Sequence, residues 1–263
     1  MKKVSIQSNS ILEGVVNASF ANSITTITAI ITNFNTEGRV LGDGDRNNIK
    51  LFDFQDKIIN VKSFKKPNLI NKIAYKYFRK SKAERSYLYA NALLEKGILT
   101  PQPIAYFEHT DFIGLKDSYY LSEHLEYDLT YRELVENPNY PDHENILRQF
   151  TAFTWKLHSK NILFKDHSPG NTLIVKKGHQ YDFYLVDLNR MEFKPLSFEE
   201  RIKNFERISP KKEMVQIMSD EYAKLSGEDY NKIFTLMWDL VSTFQYKFYR
   251  KIRLKKKFLF WRK

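Results

Sequence analysis

Cysteine is absent from this chain of 263 residues. Its absence excludes disulfides, thiolate nucleophiles and cysteine-based zinc sites, and it permits a reducing compartment. No apolar run approaches the roughly 18 residues that a membrane span requires. The first residues, MKKVSIQSNSILEG, also lack the continuous apolar region of a signal peptide. The sequence therefore predicts a cytosolic protein.

Acidic residues are absent from two segments, residues 57–82 and residues 247–263, each of which carries nine Lys or Arg. The rest of the chain holds 24 basic and 31 acidic side chains, so the net charge of +11 comes from these two segments. Such segregation indicates an anionic partner surface: phospholipid, nucleic acid or a phosphorylated glycolipid. A solvated charged face with a disordered tail is the alternative interpretation.

Apolar residues are plentiful, at 42% of the chain, and this content argues against disorder. Within the first half, apolar residues at steps of three and four predict an amphipathic helix over residues 18–34. NIKLFDF, KIINVKSF, PIAYFEHT and DSYYLSEHL predict strands. Ser81-x-x-Glu84 fits a capping box that starts a helix over residues 82–96. This half is therefore expected to be rich in β-structure.

From about residues 124–129 onward the pattern becomes mainly helical. Two further capping boxes begin at Thr130 and Ser197, and helices are predicted over residues 143–159 and 228–250. We therefore expect an α+β fold with two lobes and a tail. The predicted divisions are a β-rich N-lobe over residues 1–124, a helical C-lobe over residues 125–246 and a basic aromatic tail over residues 247–263.

The stretch FKDHSPGNTLIVKKGHQYDFYLVDLNR carries the polar residues of a possible active site. Asp166 and Asn171 lie five residues apart on one loop, and Asp187 follows the apolar run FYLV. Phosphoryl transfer requires a carboxylate that orients the acceptor hydroxyl, a carboxylate and an amide that hold magnesium, and a lysine for the phosphates. Lys62 lies upstream on a predicted strand. A polar turn around the Pro-Gly pair is the alternative interpretation.

Five motifs carry a family resemblance: GRVLGDGDRNNIKLF, INVKSFKKPNLINKIAY, KAERSYLYANALLEKGILTPQPIAY, LHSKNILFKDHSPGN and VDLNRM. From about Gly38 to Arg207 the chain resembles the protein-kinase-like superfamily. It is most similar to the bacterial lipopolysaccharide core kinases that phosphorylate Kdo (ketodeoxyoctulosonic acid) or heptose. The pattern DHSPGN is closer to small-molecule and sugar kinases than to protein kinases. The resemblance implies a bilobal protein-kinase-like fold, with ATP and Mg²⁺ as cofactors.

The resemblance also assigns catalytic and metal-binding roles. Lys62 would contact the ATP α- and β-phosphates, and Glu84 would pair with Lys62 and hold it in place. Asp166 would be the catalytic base or the carboxylate that orients the acceptor. Asn171 and Asp187 would bind magnesium. His167, next to Asp166, is interpreted either as a contact to the acceptor or as a surface side chain.

Nucleotide contacts are assigned in the same way. Gly42 and Gly44 would lie in the loop over the nucleotide, and backbone groups near Glu123 and Leu125 would meet adenine. The chain departs from protein kinases in four places, the first being a glycine-rich loop, GDGDRNN, that lacks the full G-x-G-x-x-G pattern. Phe-Lys replaces His-Arg before Asp166, the metal loop Asp-Leu-Asn lacks the usual glycine, and no Ala-Pro-Glu motif follows. These departures favour a small or lipid-linked acceptor over a protein.

The expected function is ATP-dependent phosphorylation of a hydroxyl of the lipopolysaccharide inner core, with Kdo attached to lipid A as the preferred acceptor. The expected location is the inner face of the inner membrane of a Gram-negative bacterium, as a peripheral protein. Residues 57–82 and 247–263 would contact the anionic membrane surface, and nucleic acid is not expected as a partner. The alternatives are a protein or small-molecule kinase of the same fold, and a pseudokinase or nucleic-acid-binding scaffold.

Overall fold

The computed structural model describes residues 1–7, 11–42 and 47–258 and divides the chain into two compact units. The first unit comprises Met1–Glu126 together with Asp187–Arg190, and the second comprises Tyr127–Val186 and Met191–Lys263. The observed division falls two residues after the boundary expected from the sequence. It also assigns the tetrapeptide that begins with Asp187 to the first unit.

An antiparallel sheet dominates the first unit. Its order within the described residues is β1-β2-β6-β7-β5-β4-β3, and each neighbouring pair is antiparallel. The strands are β1 (Lys2–Gln7), β2 (Ile11–Val16), β3 (Arg39–Leu41), β4 (Asn47–Phe54), β5 (Lys57–Phe64), β6 (Pro103–Thr110) and β7 (Leu115–Glu123).

Strand β5 shows how the sheet positions a functional side chain. Ile59 and Val61 are fully buried on one face, in a core that also contains Phe107 and Leu121. Successive side chains of a strand point to opposite faces. Lys62 therefore projects from the face opposite to Val61. The alternating pattern of β5 thus fixes the direction of this lysine.

Three α-helices accompany the described part of this sheet: α1 (Ile24–Thr32), α2 (Leu69–Tyr77) and α3 (Lys82–Glu95). The helix predicted over residues 18–34 is present in a shorter form, because residues 18–23 form a 3₁₀ turn that Asn17 caps. Ile27, Ile30 and Ile31 are its buried residues. Helix α2 lies in the first basic segment and was not predicted.

The second unit is mainly helical. Its described helices are α4 (Tyr131–Glu136), α5 (His143–Ser159), α6 (Phe198–Lys203), α7 (Lys212–Ser226) and α8 (Tyr230–Phe258). Its short strands are β8 (Leu129–Thr130), β9 (Ile162–Phe164), β10 (Thr172–Lys177), β11 (Gln180–Leu185) and β12 (Met191–Phe193). The predicted capping boxes at Thr130 and Ser197 are both present, so the starts of α4 and α6 are confirmed.

Helix α8 contains the described part of the predicted basic aromatic tail. It runs without interruption through the position after residue 246 where a separate tail was predicted, and residues 247–258 are helical. Lysine and arginine have good helix propensity, and no proline or glycine lies in this stretch to end the helix. The rest of the predicted tail, residues 259–263, lies outside the described residues. In the described part of the chain, no helix is both long and apolar enough to cross a membrane.

The β10–β11 hairpin organises the polar loops of the site. Thr172 pairs with Leu185 at the open end of the hairpin, so Asn171 immediately precedes one strand and Val186 immediately follows the other. The Val186 N–H donates to the Asn171 carbonyl over 3.0 Å. Asp187 is the next residue in the chain. The hairpin thus explains how two residues sixteen positions apart flank one structural element.

Candidate active site

Lys62 and Asp187 form an ion pair in the first unit. The Lys62 Nζ atom lies 2.7 Å from Asp187 Oδ1, although 125 positions separate the two residues. The lysine side chain is only 13% exposed, so water screens this pair weakly. Asn189 Nδ2 donates to the same oxygen over 2.8 Å. Two donors therefore fix one oxygen of the Asp187 carboxylate.

Asp187 also has an unusual backbone conformation. Its φ angle is +59°, in the left-handed region that a residue other than glycine adopts infrequently. Aspartate tolerates this region better than most residues do. Unusual backbone angles at polar residues are frequent at functional sites, because the surrounding structure has to enforce them. The chain thus turns sharply at the first residue after the hairpin, and this turn presents the carboxylate to Lys62.

Glu84 does not pair with Lys62, and the predicted ion pair between them is wrong. The Glu84 carboxylate contacts Lys80 Nζ instead. Lys80 directly precedes Ser81, the N-cap of α3, so the two side chains meet at the start of the helix without any long-range constraint. The Glu84 N–H donates to Ser81 Oγ over 3.0 Å, so Ser81 caps helix α3 as predicted, whereas the Glu84 carboxylate contacts Lys80 instead of completing the predicted capping box. In this structure Glu84 therefore belongs to the first turn of α3 and serves the start of that helix.

Asp166 and Asn171 are linked within the second unit. Asn171 Nδ2 donates to the Asp166 backbone carbonyl over 2.8 Å, and this bond fixes the loop that carries both residues. Arg207 Nη1 lies 3.3 Å from Asp166 Oδ1. The Asp166 side chain is mostly buried. The loop thus holds an acidic side chain that faces a guanidinium group from a distant part of the sequence.

The Pro-Gly pair of this loop has a packing function. Residues 169–171 form a 3₁₀ turn in which the Asn171 N–H donates to the Ser168 carbonyl over 2.9 Å. A Cβ atom on Gly170 would lie 2.8 Å from Arg132 Nη2, so a larger residue would displace the guanidinium group. Arg132 and Arg207 were not predicted from the sequence. Both approach the loop from distant positions, and no local motif marks such contacts.

Two buried histidines support this loop. His158 contacts Tyr222 Oη at 2.9 Å and Asn204 Oδ1 at 3.1 Å, and burial lowers its pKa to about 4. His167 is also buried, and burial lowers its pKa to about 3. It packs among three aromatic rings, those of Phe150, Phe164 and Phe205. Both interpretations of His167 from the sequence, acceptor contact or surface residue, are wrong. Its ring fills the apolar space behind Asp166.

The residues expected to bind the nucleotide are described only in part. Gly42 follows β3 with a φ angle of +81°, and Gly44 lies outside the described residues. The Glu123 N–H donates to the Gln102 carbonyl over 2.9 Å, so the sheet already uses this group. Adenine contacts from backbone groups near Glu123 and Leu125 stay a prediction.

The donor set can be tested for its fit to magnesium. Among the described residues, no group of three or more His, Asp or Glu side chains could hold a metal ion. Mg²⁺ in nucleotide sites is held by one or two protein oxygens together with phosphate oxygens and water. The side-chain nitrogen of Asn171 donates to the Asp166 carbonyl, which leaves the amide oxygen for a cation. Both contacts to the Asp187 carboxylate involve Oδ1, which leaves Oδ2 for a cation. Asn171 and Asp187 therefore each keep a side-chain oxygen of the kind that Mg²⁺ prefers, and their role as magnesium ligands stays a prediction.

Comparisons with known proteins establish the fold. No family model matches the sequence, and no curated protein matches it. Among solved structures, the chain is similar to WaaP in complex with acyl carrier protein, with a TM-score of 0.62 and 12% sequence identity. The similarity covers 89% of this chain and 97% of that chain. It confirms the expected kinase-like class, with one β-rich and one mainly helical part.

Proposed function

We propose that this protein is an ATP- and magnesium-dependent kinase that phosphorylates a hydroxyl of the lipopolysaccharide inner core, with Kdo attached to lipid A as the preferred acceptor. The contact of 2.7 Å between Lys62 and Asp187 carries the proposal. It joins a strand lysine to the aspartate after the hairpin, the two residues that the family resemblance assigns to phosphate and metal. The kinase-like fold, which the chain shares with WaaP in complex with acyl carrier protein, supports a phosphotransferase.

Each residue has a defined role in the proposed reaction. Asp166 orients the acceptor hydroxyl and accepts its proton as the oxygen attacks the γ-phosphorus of ATP and the bond to the ADP oxygen breaks. Lys62 neutralises charge on the α- and β-phosphates. Asn171 and Asp187 would hold the magnesium ion, which supplies further neutralisation of phosphate charge when bound. Catalysis by these groups consists mainly of positioning and electrostatic stabilisation.

The cations near the catalytic loop match an anionic acceptor. Arg207 lies 3.3 Å from Asp166, and Arg132 lies against Gly170 in the same loop. Kdo carries a carboxylate and lipid A carries phosphates, and a guanidinium group binds both types of oxyanion with paired hydrogen bonds. We therefore assign Arg207 to positioning Asp166 and to binding a negative group of the acceptor.

A lipid-linked acceptor also accounts for the two basic segments. We propose that residues 57–82 and 247–263 contact the anionic inner face of the inner membrane of a Gram-negative bacterium, at about 1 kcal/mol for each well-placed cation. In α8, exposed aromatic side chains alternate with cations, as in helices that lie at a membrane surface: Tyr246, Phe248 and Tyr249. The protein would thus be peripheral.

The direct test is an acceptor screen with γ-labelled ATP and Mg²⁺. Kdo–lipid A is compared with heptose-containing core, with free Kdo and with a general protein substrate. We expect transfer to the lipid-linked core sugar and none to the protein. Transfer to the protein substrate alone would show that the acceptor is a protein and not a lipid-linked sugar. No transfer to any acceptor, together with no nucleotide binding, would refute the kinase proposal.

A further inference from the structure

Helix α2 exposes apolar side chains instead of burying them. Ile70 is 79% exposed and Phe78, directly after the helix, is 82% exposed. Leu69, Ile73 and Tyr77 are exposed as well, and the positions 69, 70, 73 and 77 lie on one helical face. A surface helix of a globular protein normally turns such a face inward. A contiguous exposed apolar face marks an interaction site.

The opposite, polar face attaches α2 to the sheet. Lys72 Nζ lies 2.6 Å from Asp111 Oδ2 in the β6–β7 loop, and this contact lowers the pKa of Asp111 to about 2. Gly114 in the same loop packs so closely that a Cβ atom would lie 2.4 Å from the Lys72 carbonyl oxygen. The loop also carries Phe112, which is largely exposed. The polar anchorage therefore fixes α2 with its apolar side outward.

Positive charge alone does not make the segment 57–82 a docking surface, because acids of the same unit neutralise several of its cations. Within the described residues, cations of the segment 57–82 lie within 4 Å of acids of the same unit: Lys57 of Glu123, Lys62 of Asp187, Lys66 of Asp117, Lys72 of Asp111 and Lys80 of Glu84. Much of the positive charge thus stabilises the unit itself. The apolar face of α2 is the feature that these pairs do not explain.

A basic pocket lies at the start of α2. Its volume is about 190 Å³, and its polar lining comes from Lys65, Lys66, Asn68, Asn71, Tyr75 and Lys82. Within the described ranges, no acidic side chain pairs with the Lys82 ammonium group, whereas Lys66 has a looser contact of 3.5 Å to Asp117. Ammonium, amide and phenol donors suit phosphate oxygens, and the helix N-terminus adds a favourable dipole.

We propose that helix α2 with its basic pocket is a docking site for the surface of an anionic phospholipid bilayer. A lipid phosphate occupies the pocket, and Leu69, Ile70, Ile73, Tyr77 and Phe78 enter the boundary between headgroups and acyl chains. The lysines at the pocket, Lys66 and Lys82, match a negative surface. The proposal deepens the proposed function, on which it rests for the role of the membrane, but lipid binding itself needs no catalysis.

Vesicle sedimentation of the full chain tests this site. Phosphatidylcholine vesicles with and without phosphatidylglycerol are compared for four proteins: wild type, Ile70→Gln, Lys82→Gln and Leu225→Gln. Leu225 is the matched control, because it is an exposed leucine on α7 in the other unit. Ile70→Gln is expected to lower the partition coefficient on anionic vesicles about tenfold, and Lys82→Gln about fivefold. Leu225→Gln should bind as the wild type does.

Salt separates the two contributions. High salt should remove the effect of Lys82→Gln and preserve that of Ile70→Gln. Equal binding to neutral and anionic vesicles, or equal binding of Ile70→Gln and Leu225→Gln, would overturn the docking site. Binding of an acidic protein at the apolar face of α2, without binding of vesicles, would also overturn the proposed membrane docking site. Nucleotide binding by Ile70→Gln in solution reports separately on the kinase proposal, so either proposal can fail without the other.

Discussion

Each unit holds, beside a cation, one carboxylate to which the family resemblance assigns a role, and the two pairs are built differently. In the β-rich unit, Asp187 is held through its side chain by Lys62 at 2.7 Å and by Asn189 at 2.8 Å. In the helical unit, Asp166 is held through its backbone carbonyl by Asn171, and its side chain has a longer contact of 3.3 Å to Arg207. Arg207 is also more exposed than Lys62, at 36% against 13%.

The difference matches the two proposed roles. A metal-binding carboxylate benefits from a fixed oxygen, because Mg²⁺ demands a near-ideal geometry. A catalytic base has to approach a substrate hydroxyl and release it again, so a looser side-chain contact on a rigid backbone suits it. Substituting the residues of each pair in turn therefore tests whether the two carboxylates also differ in function.

Removing the base should have the largest effect. Asp166→Asn keeps the size and the backbone contact of residue 166, but the amide cannot accept the hydroxyl proton. We expect kcat for phosphoryl transfer to fall about 10³-fold, while the KM for ATP stays close to wild type. Asp182→Asn, in the neighbouring hairpin, is the matched control. Activity of Asp166→Asn equal to that of the control would remove Asp166 from the mechanism.

Breaking the tighter pair should have the next largest effect. Lys62→Met retains an extended apolar stem but removes the charge beside Asp187. Transfer is expected to fall about 10²-fold, with a raised KM for ATP, because both phosphate neutralisation and the fixation of Asp187 are lost. Arg39→Met, which removes an exposed ion pair with Asp53 in the same sheet, should remain active. Titration with a fluorescent nucleotide measures the binding component.

Acid should act on the helical unit through its buried histidines. His167 has a folded pKa of about 3, below the unfolded value of about 6.5, so the unfolded chain binds its proton first. Stability is therefore complete above about pH 6.5 and is lost as the pH falls towards 3. At pH 5 the loss from this residue is on the order of 2 kcal/mol. His158 adds a loss of the same sign, since burial lowers its pKa to about 4.

His167→Phe tests this linkage. Neither ring nitrogen of His167 has a hydrogen-bond partner among the described residues, and the ring lies among phenylalanines, so phenylalanine fits its surroundings. Urea unfolding at pH 7 and pH 5 should show a smaller loss of unfolding free energy in the variant than in wild type. An equal loss in both proteins would show that His167 does not carry the pH dependence.

The looser pair should give the smallest effect. Arg207→Met is expected to lower kcat/KM for the lipid-linked acceptor about tenfold and to leave the KM for ATP unchanged. Arg207→Lys should restore part of the activity, because it retains the charge but not the paired donors. A change in the KM for ATP of the same size would instead assign Arg207 to the nucleotide.

Local patterns predicted much of this fold. Strands β4, β5 and β6 were placed within one residue, because their apolar residues alternate and turn residues flank them. Strands β1 and β2 were missed: they are short, and a glycine interrupts β2 at Gly14, where a Cβ atom would lie 2.3 Å from the Tyr106 carbonyl oxygen. Helix α2 was missed as well, since its lysines obscured a face that points outward.

The candidate site was predictable by residue type but not by pairing. The loop spacing identified Asp166, Asn171 and Asp187 as a group, since hairpin strands constrain that spacing. The partner of Lys62 was not predictable, because a contact across 125 positions depends on tertiary packing. Glu84 satisfied the expected order along the sequence and yet pairs with Lys80, four residues earlier and just before the helix. The nearby Lys80 thus became the partner of Glu84, which the motif alone did not specify.

The β10–β11 hairpin has one more consequence, for how this chain tolerates change. Asn171 and Val186 meet at its open end, whereas Gly178 turns the chain at the far end with a φ angle of +65°. Residues added in pairs at that far end, one to each strand, preserve the register of Thr172 with Leu185. The turn at residues 177–180 is thus a place where the molecule can be lengthened, by evolution or by design. A tag or a recognition loop inserted there would leave the residues at the open end of the hairpin in place.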